Sequence, residues 1–145
     1  MISDKLLSDS KVILIKHEGY KSRAYIDTVG KITAGVGRNL SDRDIDDQTI
    51  DRWLEEDIIF FYGQLSFNFS WFEKLNEPRK LALIDMCFMG FKKFIGFKKM
   101  ISAIEQDDFE SAAKEMLDSL WAKQVGNRAI ELSNIIRTGV IDNVA

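Results

Sequence analysis

The sequence predicts an α+β protein in which most of the chain is helical. Apolar residues recur with helical spacing from about Ser3 to Glu18, and again over most of the chain beyond Asp47. Between these regions, residues 22–36 carry short strand-like runs separated by turn residues and glycines. The expected architecture is therefore one small sheet among helices, without internal repeats, low-complexity stretches or flexible linkers.

The N-terminal part of the chain predicts a helix followed by a hairpin. The helix covers residues 3–18 and ends at Gly19, where a left-handed residue is expected. The runs Arg23–Ile26 and Lys31–Ala34 flank a turn-rich spacer that begins with Asp27. This hairpin is expected to be the one sheet of the protein.

Capping residues set the expected limits of the next helices. Ser41 or Asp42 can cap a short helix, and Asp47 can cap a longer one that runs to about Leu65. A proline at its first position, Pro78, opens another helix.

The C-terminal part of the chain predicts two further helices with defined ends. Asp108 caps a helix over Phe109–Ser119. Asn127 caps the last helix, which stops at Gly139.

Composition limits the class of protein. The chain has 145 residues, of which 46% are hydrophobic and 30% charged, as in one globular domain with a buried core. A net charge of −3 argues against a nucleic-acid partner, since nucleic-acid-binding proteins carry a basic excess. Cys87 is the single cysteine, so the fold has to rest on packing rather than on an intrachain disulfide. We expect a monomer.

Two carboxylic acids and a hydroxyl group form the candidate catalytic group. Glu18 ends the first helix, Asp27 begins the hairpin turn, and Thr33 lies in the second strand-like run. Hydrolysis of a glycosidic bond uses one carboxylic acid to protonate the leaving oxygen and a second carboxylate on the other side of the sugar. Each residue also has an ordinary explanation: a solvated surface acid, a turn residue that bonds the backbone, and a β-branched strand residue.

The segment from Ile15 to Gly37 resembles the active-site segment of T-even-type phage lysozymes, the glycoside hydrolase family 24 muramidases. The intervals from Glu18 to Asp27 and from Asp27 to Thr33 agree with the Glu, Asp and Thr of that family. Two further segments, 82–97 and 121–139, match in the same order. Arg38 departs from the resemblance, because the T-even enzyme has a histidine there. A polar residue common in the family is also missing after Phe88.

The resemblance implies a lysozyme-like, two-lobed fold in a single domain that covers residues 1–145. A small β-hairpin lobe is expected over about residues 19–46, and a long connecting helix over about 47–65. The helical lobe is expected to contain residues 66–145 together with the N-terminal helix.

The resemblance also implies hydrolysis of the β-1,4 bond between N-acetylmuramic acid and N-acetylglucosamine in bacterial peptidoglycan, without a metal or cofactor. Glu18 would be the acid, Asp27 the water-positioning carboxylate and Thr33 its partner. The resemblance suggests inversion at the anomeric carbon. A carboxylate separation of roughly 6.5–9.5 Å would support inversion, whereas roughly 5–5.5 Å would favour retention. Residues expected to bind substrate or to support the site are Tyr25, Met86, Phe88, Asn127 and Arg128, with Arg128 pairing with Glu18.

The route to the substrate is a separate expectation. The apolar run Val12–Ile15 is too short for a signal-peptide core or a membrane span. We therefore expect synthesis in the host cytoplasm, and access to the cell wall through a holin-type pore or another route.

Several alternatives stay open at this stage. The substrate could be a related polymer such as chitin, or the chain could be a non-catalytic peptidoglycan-binding module or a decayed prophage relic. The four lysines and interleaved aromatics of Phe91–Lys99 are either an envelope-binding patch or, as we favour, buried phenylalanines with solvated lysines. We interpret His17 as a surface residue and Trp53, Trp71 and Trp121 as core residues.

Overall fold

The computed structural model describes residues 1–142, which form an α+β and mostly helical protein, as predicted. The helices are α1 (Asp4–Glu18), α2 (Asp47–Asn68), α3 (Glu77–Cys87), α4 (Phe91–Ile95), α5 (Lys98–Glu105), α6 (Phe109–Leu117), α7 (Leu120–Val125) and α8 (Asn127–Thr138). The strands are β1 (Lys21–Ile26), β2 (Ile32–Gly35) and β3 (Arg38–Asn39). A short 3-10 helix, Phe72–Lys74, lies between α2 and α3.

The chain divides into two compact units, Met1–Arg52 and a second unit that begins at Trp53. The boundary falls within α2, the long helix that the sequence predicts to connect two lobes. The predicted lobe boundaries, including the grouping of the N-terminal helix with the helical lobe, stay a prediction.

The first unit contains α1 and the sheet. Ser3 caps α1, because its hydroxyl accepts a hydrogen bond from the N–H of Leu6 at 3.1 Å. Gly19 follows the helix with a φ of +80° and donates its N–H to the carbonyl of Ile15. Both ends of the predicted helix are therefore confirmed.

The sheet has three antiparallel strands in the order β1-β2-β3. Tyr25 of β1 lies opposite Thr33 of β2, and Thr33 lies opposite Asn39 of β3. The predicted hairpin is confirmed as β1 and β2. The third strand was not predicted, since its two residues are too few to show an alternating pattern.

The prediction of a short helix after Ser41 or Asp42 is wrong. Both side chains interact with residues near the start of β2 instead of capping a helix. The Ser41 hydroxyl accepts a hydrogen bond from the N–H of Ile32 at 2.8 Å. A carboxylate oxygen of Asp42 lies 3.0 Å from Nζ of Lys31. Neither side chain is left to cap a helix, so residues 41–46 form an irregular segment that leads into α2.

The hydrophobic core is built within the second unit. Its fully buried side chains include Leu65, Phe72, Leu83, Phe94 and Met116. Trp71 and Trp121 are buried, as expected, whereas Trp53 is 44% exposed. Phe94 is buried while the four lysines of segment 91–99 are exposed, which agrees with the favoured interpretation of that segment.

The helix ends of the second unit confirm most of the capping predictions. Asp108 caps α6 by accepting the N–H of Ser111, and Pro78 lies in the first turn of α3. Asn127 is not the cap of α8 but its first residue, since Gly126 precedes the helix. The helix ends at Gly139, which has a left-handed φ of +71°.

Over residues 1–142, no helix has the length and apolarity needed to cross a bilayer. Within the same range, no group of three or more His, Cys, Asp or Glu side chains could hold a metal ion.

Candidate active site

Asp27 occupies the turn between β1 and β2 and holds it closed. Its Oδ1 accepts hydrogen bonds from the N–H groups of Val29 at 3.0 Å and Lys31 at 2.8 Å. In return, the N–H of Asp27 donates to the carbonyl of Lys31 at 2.9 Å. This is the turn role expected of an aspartate, but it uses only one of the two carboxylate oxygens.

The second carboxylate oxygen of Asp27 faces Thr33. Oγ1 of Thr33 lies 3.5 Å from Oδ2 of Asp27 and 3.1 Å from the carbonyl oxygen of Lys31. A hydroxyl group has one proton to donate, and the shorter contact to Lys31 is the better hydrogen bond. The lone pairs of Thr33 and Oδ2 of Asp27 are then both available as acceptors.

Thr33 has a position unlike that of its neighbours. It is 4% exposed, and it is the one buried residue in the first unit. Tyr25, which lies opposite Thr33 on β1, is partly buried. The register of the β1–β2 pair therefore places Tyr25 opposite Thr33, and Thr33 lies close to Asp27 across the hairpin turn.

Glu18 lies at the C-terminal end of α1, and its carboxylate packs against Gly37. A Cβ atom placed on Gly37 would be 2.8 Å from Oε2 of Glu18 and 2.9 Å from its Cδ. Gly37 belongs to the turn between β2 and β3. The last side chain of α1 therefore lies beside the same sheet that carries Asp27 and Thr33.

Lys31, which follows the turn that Asp27 closes, forms an ion pair with Asp42. The hydrogen bonds that Asp42 accepts from Lys31 and Asn39 lower the pKa of its carboxyl group below the ordinary value. Lys31 thus directs its ammonium group at Asp42.

Arg128 forms an ion pair with Asp85, another residue of the second unit. Its Nε and one terminal nitrogen donate to Oδ1 of Asp85 at 2.8 and 2.6 Å, and that nitrogen also donates to the carbonyl oxygen of Asp85 at 3.1 Å. The two side chains are 46% and 39% exposed, so the ion pair lies at the surface. The expected pairing with Glu18 joins residues of different units and stays a prediction.

The remaining predicted residues lie in different surroundings within the second unit. Met86 is completely buried in the core, so its side chain cannot contact substrate directly, and a role in supporting the site stays a prediction. Phe88 is 40% exposed and its ring meets that of Phe61 edge to face. Asn127 is exposed at the start of α8, next to Arg128.

Two residues with a place at these sites were not singled out from the sequence. Asp85 holds Arg128, and the only sequence signal was its position within the second matching segment. Gly37 touches Glu18, and its signal was a glycine next to a short strand. Both contacts join residues that are distant along the chain, and no local pattern predicts them.

The phage lysozyme family model matches this chain over residues 15–137. The matched range includes Glu18, Asp27, Thr33 and Arg128, and it crosses both compact units.

The chain is similar to proteins of Dictyostelium discoideum and of Enterobacteria phage T4. A probable T4-type lysozyme 1 of Dictyostelium discoideum is 36% identical over 72 residues, which are 49% of this chain and 42% of that protein. The pre-baseplate central spike protein Gp5 of Enterobacteria phage T4 is 26% identical over 90% of this chain and 28% of its own length. A probable T4-type lysozyme 2 of Dictyostelium discoideum is 28% identical over 94% of this chain and 98% of its own length. The chain thus spans less than half the length of the first two relatives and nearly all of the third.

Proposed function

The chain belongs to the phage lysozyme family, and on that premise we propose that it is a glycoside hydrolase of the muramidase type. Its substrate is bacterial peptidoglycan, and the bond it cleaves is the β-1,4 bond between N-acetylmuramic acid and N-acetylglucosamine. Its physiological role is lysis of a bacterial host, with a holin-type pore giving access to the wall.

The observation that carries this proposal is the divided role of the Asp27 carboxylate. Oδ1 is held by two backbone N–H groups of the turn, whereas Oδ2 faces Thr33 Oγ1 at 3.5 Å. A turn aspartate with no further role needs only the two hydrogen bonds of Oδ1. The approach of Oδ2 to Thr33 supports a functional assignment for Asp27 and Thr33.

The same geometry supports a role in orienting the attacking water. A water molecule has two protons, and Oδ2 of Asp27 and a lone pair of Thr33 Oγ1 are two neighbouring acceptors for them. Because the Thr33 proton is directed to the carbonyl of Lys31, the hydroxyl oxygen is free to accept. A water bound this way turns its own lone pair toward the anomeric carbon. As its oxygen bonds that carbon and the glycosidic bond breaks, its proton passes to Oδ2 of Asp27.

Glu18 is the proposed general acid. It is exposed, and the end of its side chain lies close to Gly37. In its protonated form it would donate a proton to the oxygen of the leaving sugar. A positioned acid of this kind typically contributes on the order of 10²–10⁴ in rate.

The test compares the native protein with Glu18→Gln on purified peptidoglycan, with new reducing ends as the readout. We expect Glu18→Gln to lower the rate by roughly 10²–10⁴, because the amide cannot supply the proton. Glu110→Gln is the matched control, since it makes the same chemical change at another exposed glutamate, in the first turn of α6. It should keep the native rate.

The outcomes separate the competing functions. Equal release by the native protein and Glu18→Gln would reject the mechanism. No release by either protein, together with binding to peptidoglycan, would indicate a non-catalytic module. Faster release from chitin than from peptidoglycan would assign the enzyme to another amino-sugar polymer.

A further inference from the structure

The contact between Glu18 and Gly37 is closer than a side chain at residue 37 would allow. A Cβ on Gly37 would meet three atoms of Glu18: Oε2 at 2.8 Å, Cδ at 2.9 Å and Cγ at 3.0 Å. Non-bonded carbon and oxygen atoms do not approach so closely without one of them moving. The end of the Glu18 side chain therefore occupies space that is free only because residue 37 is a glycine.

Backbone conformation alone does not distinguish Gly37 from its neighbour Gly35. Gly37 has a φ of +64° and Gly35 a φ of +65°, so both adopt the left-handed region that favours glycine. A Cβ on Gly35, however, would have no heavy atom within 4 Å. The two glycines thus share the backbone requirement, and the requirement for space is specific to Gly37.

We propose that Gly37 is a positioning residue for the catalytic carboxylate of Glu18, an inference that rests on the proposed function. The bare Cα of Gly37 lets the carboxylate lie directly against the β2–β3 turn. This contact restricts the rotation of a side chain that is otherwise exposed at the end of α1. The sheet then carries all three groups of the proposed mechanism, with Asp27 and Thr33 in its strands and turn and Glu18 against its second turn.

An added methyl group at Gly37 should displace Glu18 rather than unfold the protein. The atoms it would meet are at the far end of a flexible and exposed side chain, which can turn away at small cost. Backbone strain from the left-handed φ remains, but Gly35→Ala carries the same strain. The two variants should therefore be similar in stability and differ in activity.

The experiment measures kcat and KM on soluble peptidoglycan strands for the native protein, Gly37→Ala and Gly35→Ala. Thermal unfolding of each variant verifies that all three are folded at the assay temperature. We expect Gly37→Ala to lose roughly 10- to 100-fold in kcat, because a misplacement of about 1 Å is enough to cost that much. Its KM should stay close to the native value, and Gly35→Ala should keep a near-native kcat.

A structural readout accompanies the kinetics. In the native protein, a nuclear Overhauser effect should join the Hα protons of Gly37 to the Hγ protons of Glu18, since Cγ lies beside the glycine. This signal should be lost in Gly37→Ala and retained in Gly35→Ala. A change that only lowered stability would not remove it selectively.

Equal kcat values for Gly37→Ala and Gly35→Ala, or a native protein without the Overhauser effect, would overturn the positioning role. Failure of the proposed function has a different signature, namely a native protein that Glu18→Gln does not slow. In that case the positioning role fails with it, even if the Overhauser effect is present.

Discussion

At the scale of single residues, the two oxygens of the Asp27 carboxylate have different roles. Oδ1 completes the turn between β1 and β2, and Oδ2 faces Thr33. Because the turn fixes the carboxyl group through Oδ1, the direction of Oδ2 is set by the backbone of the hairpin. The residue that closes the turn is in this way also oriented for the proposed chemistry.

Two substitutions of Asp27 should distinguish its role in the turn from its proposed role in catalysis. Asp27→Asn retains a carbonyl oxygen that can accept the two turn hydrogen bonds, so its stability should be close to native. Asp27→Ala removes the acceptor of both hydrogen bonds and should cost about 1–3 kcal/mol of unfolding free energy, given a net value of roughly 0.5–1.5 kcal/mol for each hydrogen bond. Both should lower activity on peptidoglycan strongly, because both remove the negative charge.

Urea denaturation and release of reducing ends measure the two effects. The proposed role of Oδ2 would be contradicted if Asp27→Asn kept the native rate. The proposed role of Oδ1 would be contradicted if Asp27→Ala were as stable as Asp27→Asn.

At the scale of elements, Arg79 of α3 donates hydrogen bonds to the C-terminal end of α8. Its Nε donates to the carbonyl of Ile136 at 2.7 Å, and a terminal nitrogen donates to the carbonyl of Arg137 at 3.2 Å. The guanidinium also lies 3.5 Å from the centre of the Phe109 ring. Carbonyls at a helix end have no partner in their own helix, and a cation there also complements the helix dipole.

Replacing Arg79 should therefore weaken the second unit. We expect Arg79→Ala to lower the unfolding free energy by about 1.5–3 kcal/mol, the range for hydrogen bonds that involve a charged group. Arg79→Lys keeps the charge but not the two-pronged geometry, and should lose an intermediate amount. Chemical denaturation gives the values.

Arg137→Ala serves as the control, since the Arg137 side chain is exposed on α8 and bonds only to Asn134 among the described contacts. It should change the unfolding free energy by no more than about 0.5 kcal/mol, as is usual for surface substitutions. An effect of Arg79→Ala no larger than that of the control would contradict the role of Arg79.

At the scale of the whole molecule, the buried core lies in the second unit. The second unit has a core of aromatic and aliphatic side chains, with Cys87 completely buried in it. Burial raises the pKa of the Cys87 thiol from 9.0 to about 12. Since only the thiolate reacts, native Cys87 should be inert.

Labelling of Cys87 therefore reports unfolding of the second unit. A rise in pKa from 9.0 to about 12 lowers the thiolate fraction roughly a thousandfold at pH 8, in addition to the steric protection. With an aromatic disulfide reagent we expect very slow reaction of the native protein and rapid reaction in denaturant. A Cys87→Ser variant with Ser102→Cys, at an exposed position, should react rapidly in both conditions.

Fast labelling of native Cys87 would show that the second unit opens readily. The exposed cysteine of the control variant verifies that the reagent is active under native conditions.

Local features account for the parts of the fold that could be predicted. Ser3 and Gly19 define the ends of α1 through bonds to residues three or four positions away. Asp108 caps α6 in the same way. The prediction of a helix after Ser41 is wrong because the Ser41 hydroxyl accepts a hydrogen bond from the N–H of Ile32. No pattern in the sequence around Ser41 indicates this bond.

The candidate site shows the same division. The spacing of Asp27 and Thr33 was informative because a hairpin brings residues on either side of its turn together. The partners Asp85 for Arg128 and Gly37 for Glu18 were not predicted, since each depends on packing between elements that are separate in sequence.

The sequence by itself determined the α+β class, most helix ends, the hairpin and the family resemblance of Glu18, Asp27 and Thr33. These follow from hydrophobic periodicity, caps and turns, which act over a few residues. Only the tertiary structure decided which oxygen of Asp27 holds the turn, which carboxylate Arg128 binds, and that Gly37 leaves room for Glu18. Those features depend on distances between atoms of different elements, and such distances exist only once the elements have packed.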